Sequence, residues 1–374
     1  MAASSVVIGA LSRETDEHSH SVSNYSNLDC LRAFAVCGVL IDHITRTLTN
    51  QHVTSLPLLI VGRSGVMAFF VHTSLVLMYS LERMPEQRRA WRFLVRRAFR
   101  IYPLAILCVV SVVSLHIPVI TQDGDFYRIS ATIIISNILL IQNLIGKYSV
   151  CGPMWSLPFE VQMYAVLPLI FRITKMRKAA VWVLGMAAYF SCIGWMVQRL
   201  TGHPNLLAYI PCFLGGILAY TLRRTRPTLS PLLWPITIAI WMEAARYGMA
   251  SQPLIALPAG WLASLILGAS IFLFRESTNQ AWNKATAFAA RYSYGIYLSH
   301  APMIWLVFRV LKIHNNILAT ILWLATTLGS SIMLFHALES PMINLGKRLT
   351  RPRVRTDTSC DSRAIKSGVA QLIG

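Results

Sequence analysis

The chain has 374 residues, 55% hydrophobic and only 13% charged, with mean hydropathy +0.53 and a formal net charge of +19. This composition excludes an ordinary soluble domain and a disordered chain and indicates an integral membrane protein. The basic residues fall between apolar spans, as cytoplasmic loops require, so the charge points to membrane topology and not to a nucleic-acid partner.

Residues 1–24 are polar and Ser-rich, without the basic n-region and small-residue cleavage site of a secretory signal. They read as a flexible cytoplasmic tail ahead of a retained first span. His18 and His20 could hold a metal, but a solvated tail accounts for them more simply. The first span, Leu28–His43, is almost wholly apolar yet carries Asp29, Arg32, Asp42 and His43. On a helix, Arg32 and His43 fall about 20° past three full turns from one another, on one face and about 16 Å apart along the axis. Ionisable groups inside an apolar span are costly and mark a functional site. The plain alternative is that Arg32 snorkels to a headgroup and His43 makes one interhelical bond.

Apolar segments follow one another at 28–48, 58–81, 101–120, 157–173, 179–198, 205–222, 231–249, 254–274, 291–310 and 317–338, each about long enough to cross a bilayer. The connection 82–100 holds seven arginines, and those at 172–178, 223–226 and 275–291 and the stretch after Lys347 are also basic. All can be cytoplasmic only if the further apolar stretch 129–145 does not complete a crossing. The sequence therefore predicts an all-α polytopic membrane protein of about ten transmembrane helices, with both termini cytoplasmic. The 129–145 stretch is re-entrant or an outer-side helix. The transmembrane domain covers 25–346, followed by a basic cytoplasmic tail over 347–374. Seven scattered cysteines without a C-x-x-C pair support neither a disulfide framework nor a metal site.

Polar sets interrupt the apolar pattern. In WRFLVRRAFRIYP (91–103), Arg92, Arg96 and Arg100 form one helical stripe and Arg97 pairs with Arg100 at i, i+3. Guanidinium forks suit phosphate oxygens, although positive-inside anchoring also yields basic clusters. In CGPMWSLPFEVQMYAVLP (151–168), Glu160 and Tyr164 share a face at the outer start of a span. Glu160 could bind a sugar hydroxyl, orient a histidine or act as an acid/base, or belong to an interfacial aromatic belt as a structural group. In ARYSYGIYLSHAPMIW (290–305), Tyr294, Tyr297, Ser299 and His300 lie within a helix, and Glu339-Ser340-Pro341 closes the last span.

Taken together, these sets resemble the acyltransferase-3 family of membrane O-acyltransferases over nearly the whole chain, from Leu28 to about Leu349. The family's first-helix Arg and His, separated by ten residues, match Arg32 and His43. Phe69-Phe70-Val71 matches its second helix, although His72-Thr73-Ser74 stands where the family commonly has Leu-Ser-Gly. Arg97, Arg100, Tyr102 and Pro103 match R-x-x-R followed by Tyr-Pro. Trp155, Ser156, Leu157, Glu160 and Tyr164 match W-S-L-x-x-E-x-x-x-Y. Ser293, Tyr294, Tyr297, Leu298, His300 and Pro302 match S-Y-x-x-Y-L-x-H-x-P, and Glu339 and Pro341 match E-x-P.

The resemblance implies transfer of an acyl group, by family weight acetyl, from cytoplasmic acyl-CoA to a carbohydrate hydroxyl, without a metal. The acceptor would be a surface polysaccharide, a lipid-linked sugar or a secreted oligosaccharide such as a nodulation factor. The implied partners are acyl-CoA, the carbohydrate acceptor and membrane lipid, and the implied location is the bacterial inner membrane. His43 is the candidate base, since an imidazole in apolar surroundings stays neutral and competent near neutral pH. Arg32 and Glu160 complete the catalytic set. Arg97 and Arg100, with Arg32 beside them, would hold CoA phosphates, and Tyr297 and His300 join the donor-binding set. An outer Glu160 and inner arginines would place acyl and acceptor groups at different depths. The competing classes are a polytopic transporter, against which the absence of an inverted repeat counts, and a membrane acyltransferase acting on lipid or protein. No G-x-S-x-G occurs, and Gly62-Arg63-Ser64-Gly65 does not fit that spacing.

Overall fold

A computed structural model describes residues 25–49, 61–117, 129–202, 205–250 and 253–351. The expected tail at 1–24, and the expected C-terminal tail beyond residue 351, lie outside the described residues. Three long helices come first: α1 (Ser26–Leu48), α2 (Val61–Glu82) and α3 (Arg89–Ser114). A short α4 (Ala131–Ile138) and a 3-10 turn, Gly152–Ser156, lead into α5 (Leu157–Ile173). Then come α6 (Ala179–Thr201), α7 (Leu206–Leu222), α8 (Leu233–Ala250) and α9 (Pro253–Ser270). Last are α10 (Gln280–Ile304), α11 (Asn316–Leu334) and α12 (Ser340–Leu349). Several starts carry side-chain caps: Asn205, Asn279 and Asn315 side chains accept backbone N–H bonds from the first turns of α7, α10 and α11.

Among the described residues, each of the ten apolar segments expected as spans falls largely on a helix. Five helical runs among the described residues are long and apolar enough to cross a membrane: α2, α3, Gly152–Ile173, α6 and Asn316–Leu349. α7 and Leu257–Leu273 are apolar but shorter. Large apolar side chains such as Trp182, Leu200, Leu262 and Ile321 point outward. In water such a surface would aggregate; facing lipid tails it costs nothing. The protein is an all-α polytopic membrane protein.

α3 begins at Arg89, twelve residues before the apolar segment expected at 101, because Arg, Leu and Ala are good helix formers that carry the helix outward from the apolar span. At its far side it packs on α12, where Arg96 Nε donates to Thr350 Oγ1 at 2.7 Å. At the centre, α7 packs against α2 and α9. A Cβ on Gly216 would collide with the Val71 carbonyl oxygen, and one on Gly215 with that of Ser264. Glycine at both positions is what lets these backbones touch.

Pairwise contacts fix the helix directions that position the site. Tyr164 meets Phe93 while Glu160 lies in electrostatic range of Arg100, so α5 runs antiparallel to α3. Tyr294 Oη donates to the Ile101 carbonyl and Cys108 reaches the Leu298 carbonyl, so α10 runs parallel to α3. If α4 crossed the membrane, α5 would have to run parallel to α3. α4 is also only about 12 Å long, against a hydrocarbon core of about 30 Å. The connection between α3 and α5 therefore adds no crossing.

Parts of that connection are nevertheless buried. Leu140, Gln142, Val150, Cys151 and Met154 are all enclosed by the bundle. Asn137 pins the loop, donating to the Ile133 and Tyr148 carbonyls and accepting from the Val150 N–H. The chain thus dips back between helices before α5 starts.

Candidate active site

A cavity of about 90 Å³ is lined by residues of α1, α2, α3, α5, α10 and the 3-10 turn. Arg32 enters from α1, Phe69, His72 and Thr73 from α2, and Arg97 and Arg100 from α3. Ser156, Glu160 and Tyr164 come from the 3-10 turn and α5, and Ser293, Tyr294 and Tyr297 from α10.

The charged groups differ in how their neighbours hold them. Arg32 Nε donates to Ser293 Oγ at 2.6 Å, and that hydroxyl in turn donates to the Ala290 carbonyl. Tyr164 Oη donates to Glu160 Oε2 at 3.1 Å. Arg97 lies over the Phe93 ring, 5.8 Å from its centroid, with Nη2 3.4 Å from Ser80 Oγ. Arg100 faces the cavity and has no hydrogen-bond partner among the described residues, although Arg32, Glu160 and Glu339 all lie within electrostatic range. Three guanidinium groups thus converge on a space with a carboxylate on its wall. Such a geometry can bind a phosphate-bearing anion by charge-assisted bonds.

The hydroxyl of Tyr297 closes one side. It donates to the Pro153 carbonyl at 2.6 Å and accepts from Ser156 Oγ at 2.8 Å. Its ring stands edge-on to Phe69 on the cavity side and lies 6.1 Å from the His300 ring on the other.

His43 and His300 lie outside the cavity lining and meet each other, ring centroids 4.8 Å apart at 61°. His300 is fully buried; its Nδ1 is 3.1 Å from the Ile296 carbonyl, a partner that needs an N–H donor. That bond leaves the Nε2 lone pair free, and Nε2 is buried without a partner among the described residues. Arg32 meets Ser293 and His43 meets His300, so both α1 side chains face α10, on the one face expected from their spacing. The two helices run parallel.

Glu160 requires a correction in its depth. The sequence places it at the outer end of a span, away from the arginines. The structure brings it into the same cavity as Arg32, Arg97 and Arg100. The mostly buried 150–156 segment starts α5 deep within the bundle, so one turn of helix brings Glu160 to the level of the arginines.

The profile of the acyltransferase domain, acyltransferase-3 type, matches residues 25–336. This chain belongs to the acyltransferase-3 family. Nodulation protein 10 of Rhizobium leguminosarum bv. viciae is 25% identical over 316 residues, covering 75% of this chain and 83% of that protein. ORF330 of Acidianus two-tailed virus, provisionally named an acetyltransferase, is 24% identical over 299 residues, covering 77% of this chain and 86% of its own length. No solved structure matches the chain. The protein is accordingly a membrane acyltransferase, similar to proteins bearing acetyltransferase and nodulation names.

Within this family frame, the sequence marks His72 only as a departure from the family pattern and gives it no role. It is buried and lines the same cavity as the arginines. The signal was present: Phe69, His72, Thr73 and Val76 follow the i, i+3, i+4, i+7 spacing of one helix face, and all four line the cavity.

Proposed function

We propose that this protein is an acyl-CoA-dependent O-acyltransferase of the bacterial inner membrane, moving an acetyl group to a carbohydrate hydroxyl. The reading rests on one observation above all. Three arginines open onto a cavity at one level of α1, and a paired imidazole site stands about 16 Å further along the same face of that helix. A CoA molecule has this division: anionic phosphates at one end, a thioester at the end of a pantetheine arm. In this reading Arg32, Arg97 and Arg100 hold the phosphates, and the thioester lies beside His43.

A thioester is already activated, so the protein must supply position, a base and charge stabilisation. His43 takes the proton of the acceptor hydroxyl as its oxygen attacks the thioester carbonyl. The C–S bond then breaks, and the departing sulfur takes the proton back from the imidazolium. His300, packed against His43 and tied to the Ile296 carbonyl, holds the ring in place. Glu160 sets the charge balance of the arginines at the donor end. A secreted oligosaccharide such as a nodulation factor is among the acceptors this reading admits, in keeping with the relative named nodulation protein 10. Lipid-linked sugars and surface polysaccharides carry the same hydroxyl chemistry. Ten crossings with both termini cytoplasmic put the basic connections inside, and the parallel course of α1 and α10 agrees with that parity.

The test is to incubate the purified protein with acetyl-CoA and candidate glycans. Free CoA should appear only when an acceptor is present, with a one-acetyl mass gain on a defined sugar. Thioester loss without any acylated glycan would overturn the carbohydrate assignment.

A further inference from the structure

A second opening lies at the far end of α2 and α5, an open groove of about 510 Å³ unconnected with the motifs of the sequence. Its walls include Glu82, Phe171, Lys175, Tyr220, Arg223 and Arg224. Arg223 is built in: its guanidinium lies 3.9 Å from the Tyr220 ring centroid, bonds the Tyr220 carbonyl at 2.8 Å and reaches Glu82 Oε1 at 3.0 Å. Lys175 covers the Phe171 ring at 5.3 Å and lies 3.7 Å from Glu86. Arg224 is exposed and has no hydrogen bond or ion pair among the described residues. Three cations thus face one carboxylate on the groove wall, beside two aromatic rings.

The groove and the arginine cavity share two walls. On α2, Leu77 lines the cavity and Glu82 the groove; on α5, Tyr164 lines the cavity and Phe171 the groove. Those steps of five and seven residues put the two spaces about 8–10 Å apart. Arg97 spans the interval, its Nη2 on Ser80, which lies between Leu77 and Glu82. A phosphate held by Arg97 and Arg100 would therefore have a second basic site within a nucleotide's length, on the side away from His43.

We infer that this groove is the outer donor subsite, binding the phosphorylated nucleotide end of CoA with its 3′-phosphate against Arg223, Arg224 and Lys175. The inference rests on the proposal that the donor is acyl-CoA and extends it to residues outside the family motifs. The aromatic rings beneath Arg223 and Lys175 hold those cations in place, so little side-chain freedom is lost when a phosphate arrives. An anionic lipid headgroup presents the same phosphate chemistry, and the experiment separates the two sources.

The protein is placed in neutral phosphatidylcholine nanodiscs, and binding of CoA and of 3′-dephospho-CoA is measured by calorimetry. The native protein should bind CoA about 10-fold more tightly, the usual worth of a charge-assisted contact. In Arg224→Glu and in Lys175→Ala/Arg224→Ala, CoA affinity should fall to that of 3′-dephospho-CoA, whose own affinity stays unchanged. That unchanged value also shows that the variants are folded. Equal binding of the two ligands by the native protein overturns the subsite while leaving the donor assignment intact. Failure to bind either ligand overturns the donor assignment itself. Absence of a CoA preference, with thermal stabilisation by added phosphatidylglycerol that Arg224→Glu abolishes, gives the groove to lipid and overturns the inference.

Discussion

The arginine cavity and the imidazole pair lie on one face of α1, yet they are built in opposite ways. The cavity draws side chains from five helices, holds three guanidinium groups and a carboxylate, and keeps Arg100 open to it. The His43–His300 pair comes from two helices; His300 Nδ1 bonds the Ile296 carbonyl, and its Nε2 has no partner among the described residues. The first arrangement suits an anion whose charge is the same before and after reaction. The second suits a proton that must move: a base already saturated with hydrogen bonds has no lone pair to offer. The difference separates affinity from turnover, and four perturbations test that separation.

The largest effect is expected at His43. His43→Ala should lower kcat by about 10²–10⁴, the range for loss of a general base, with donor binding retained. Protonation of the imidazole removes the base, so the native protein at saturating donor should lose activity as pH falls. Turnover and calorimetric binding of a non-transferable CoA analogue check this separately. Loss of analogue binding in His43→Ala would make His43 a wall of the donor channel and send the search for the base to His300 and Glu160.

Arg97 and Arg100 come next. A phosphate bond made equally in ground and transition states contributes to affinity and not to kcat. Arg100→Ala should therefore raise the donor KM about 10- to 100-fold, recoverable with more donor, and Arg97→Ala should act in the same direction. Arg100→Lys should recover little, because a point charge cannot reproduce the fork. If Arg100→Ala binds the analogue normally but does not turn over, the two regions are not divided as described.

How much of this contrast the sequence carried depends on range. The helices were legible because each apolar stretch approaches the length of a bilayer crossing, and the non-crossing of 129–145 followed from charge alone. Arg32 and His43 could be placed on one face from spacing within a single helix. The depth of Glu160 could not, because it depends on the buried loop pinned by Asn137, a tertiary feature with no periodicity of its own. The partnership of His43 with His300 was equally out of reach, since it arises from the parallel packing of two helices 250 residues apart. The groove at Arg223 and Arg224 looked like ordinary positive-inside charge until Tyr220 was seen beneath it.

The third perturbation concerns His300. If it orients His43 and does not itself accept the substrate proton, His300→Asn should lower kcat about 10-fold, leave the donor KM unchanged and preserve the sign of the pH profile. An effect as large as that of His43→Ala, with a flattened pH profile, would make His300 the base.

The smallest effect is expected where the two regions touch. Tyr297 stands between Phe69 of the cavity and His300, with its hydroxyl bonded to Pro153 and Ser156. Those two bonds tie α10 to the re-entrant turn that carries α5 to its depth. Tyr297→Phe keeps the ring contacts and removes only the hydroxyl, leaving the buried Pro153 carbonyl and Ser156 Oγ to find other partners. Loss of bonds of this kind costs about 0.5–1.5 kcal/mol each in stability, and the Ser156 hydroxyl can turn to limit it. Thermal unfolding of Tyr297→Phe should therefore shift down by a few degrees, while kcat and donor KM stay within about threefold of native. A tenfold rise in donor KM without a stability change would mean that the hydroxyl leaves Pro153 to bond the donor directly. A 10²-fold fall in kcat would put it in the proton path between the regions. Either result would join the cavity and the imidazole pair into one reacting unit, where the geometry keeps Tyr297 as the wall between them.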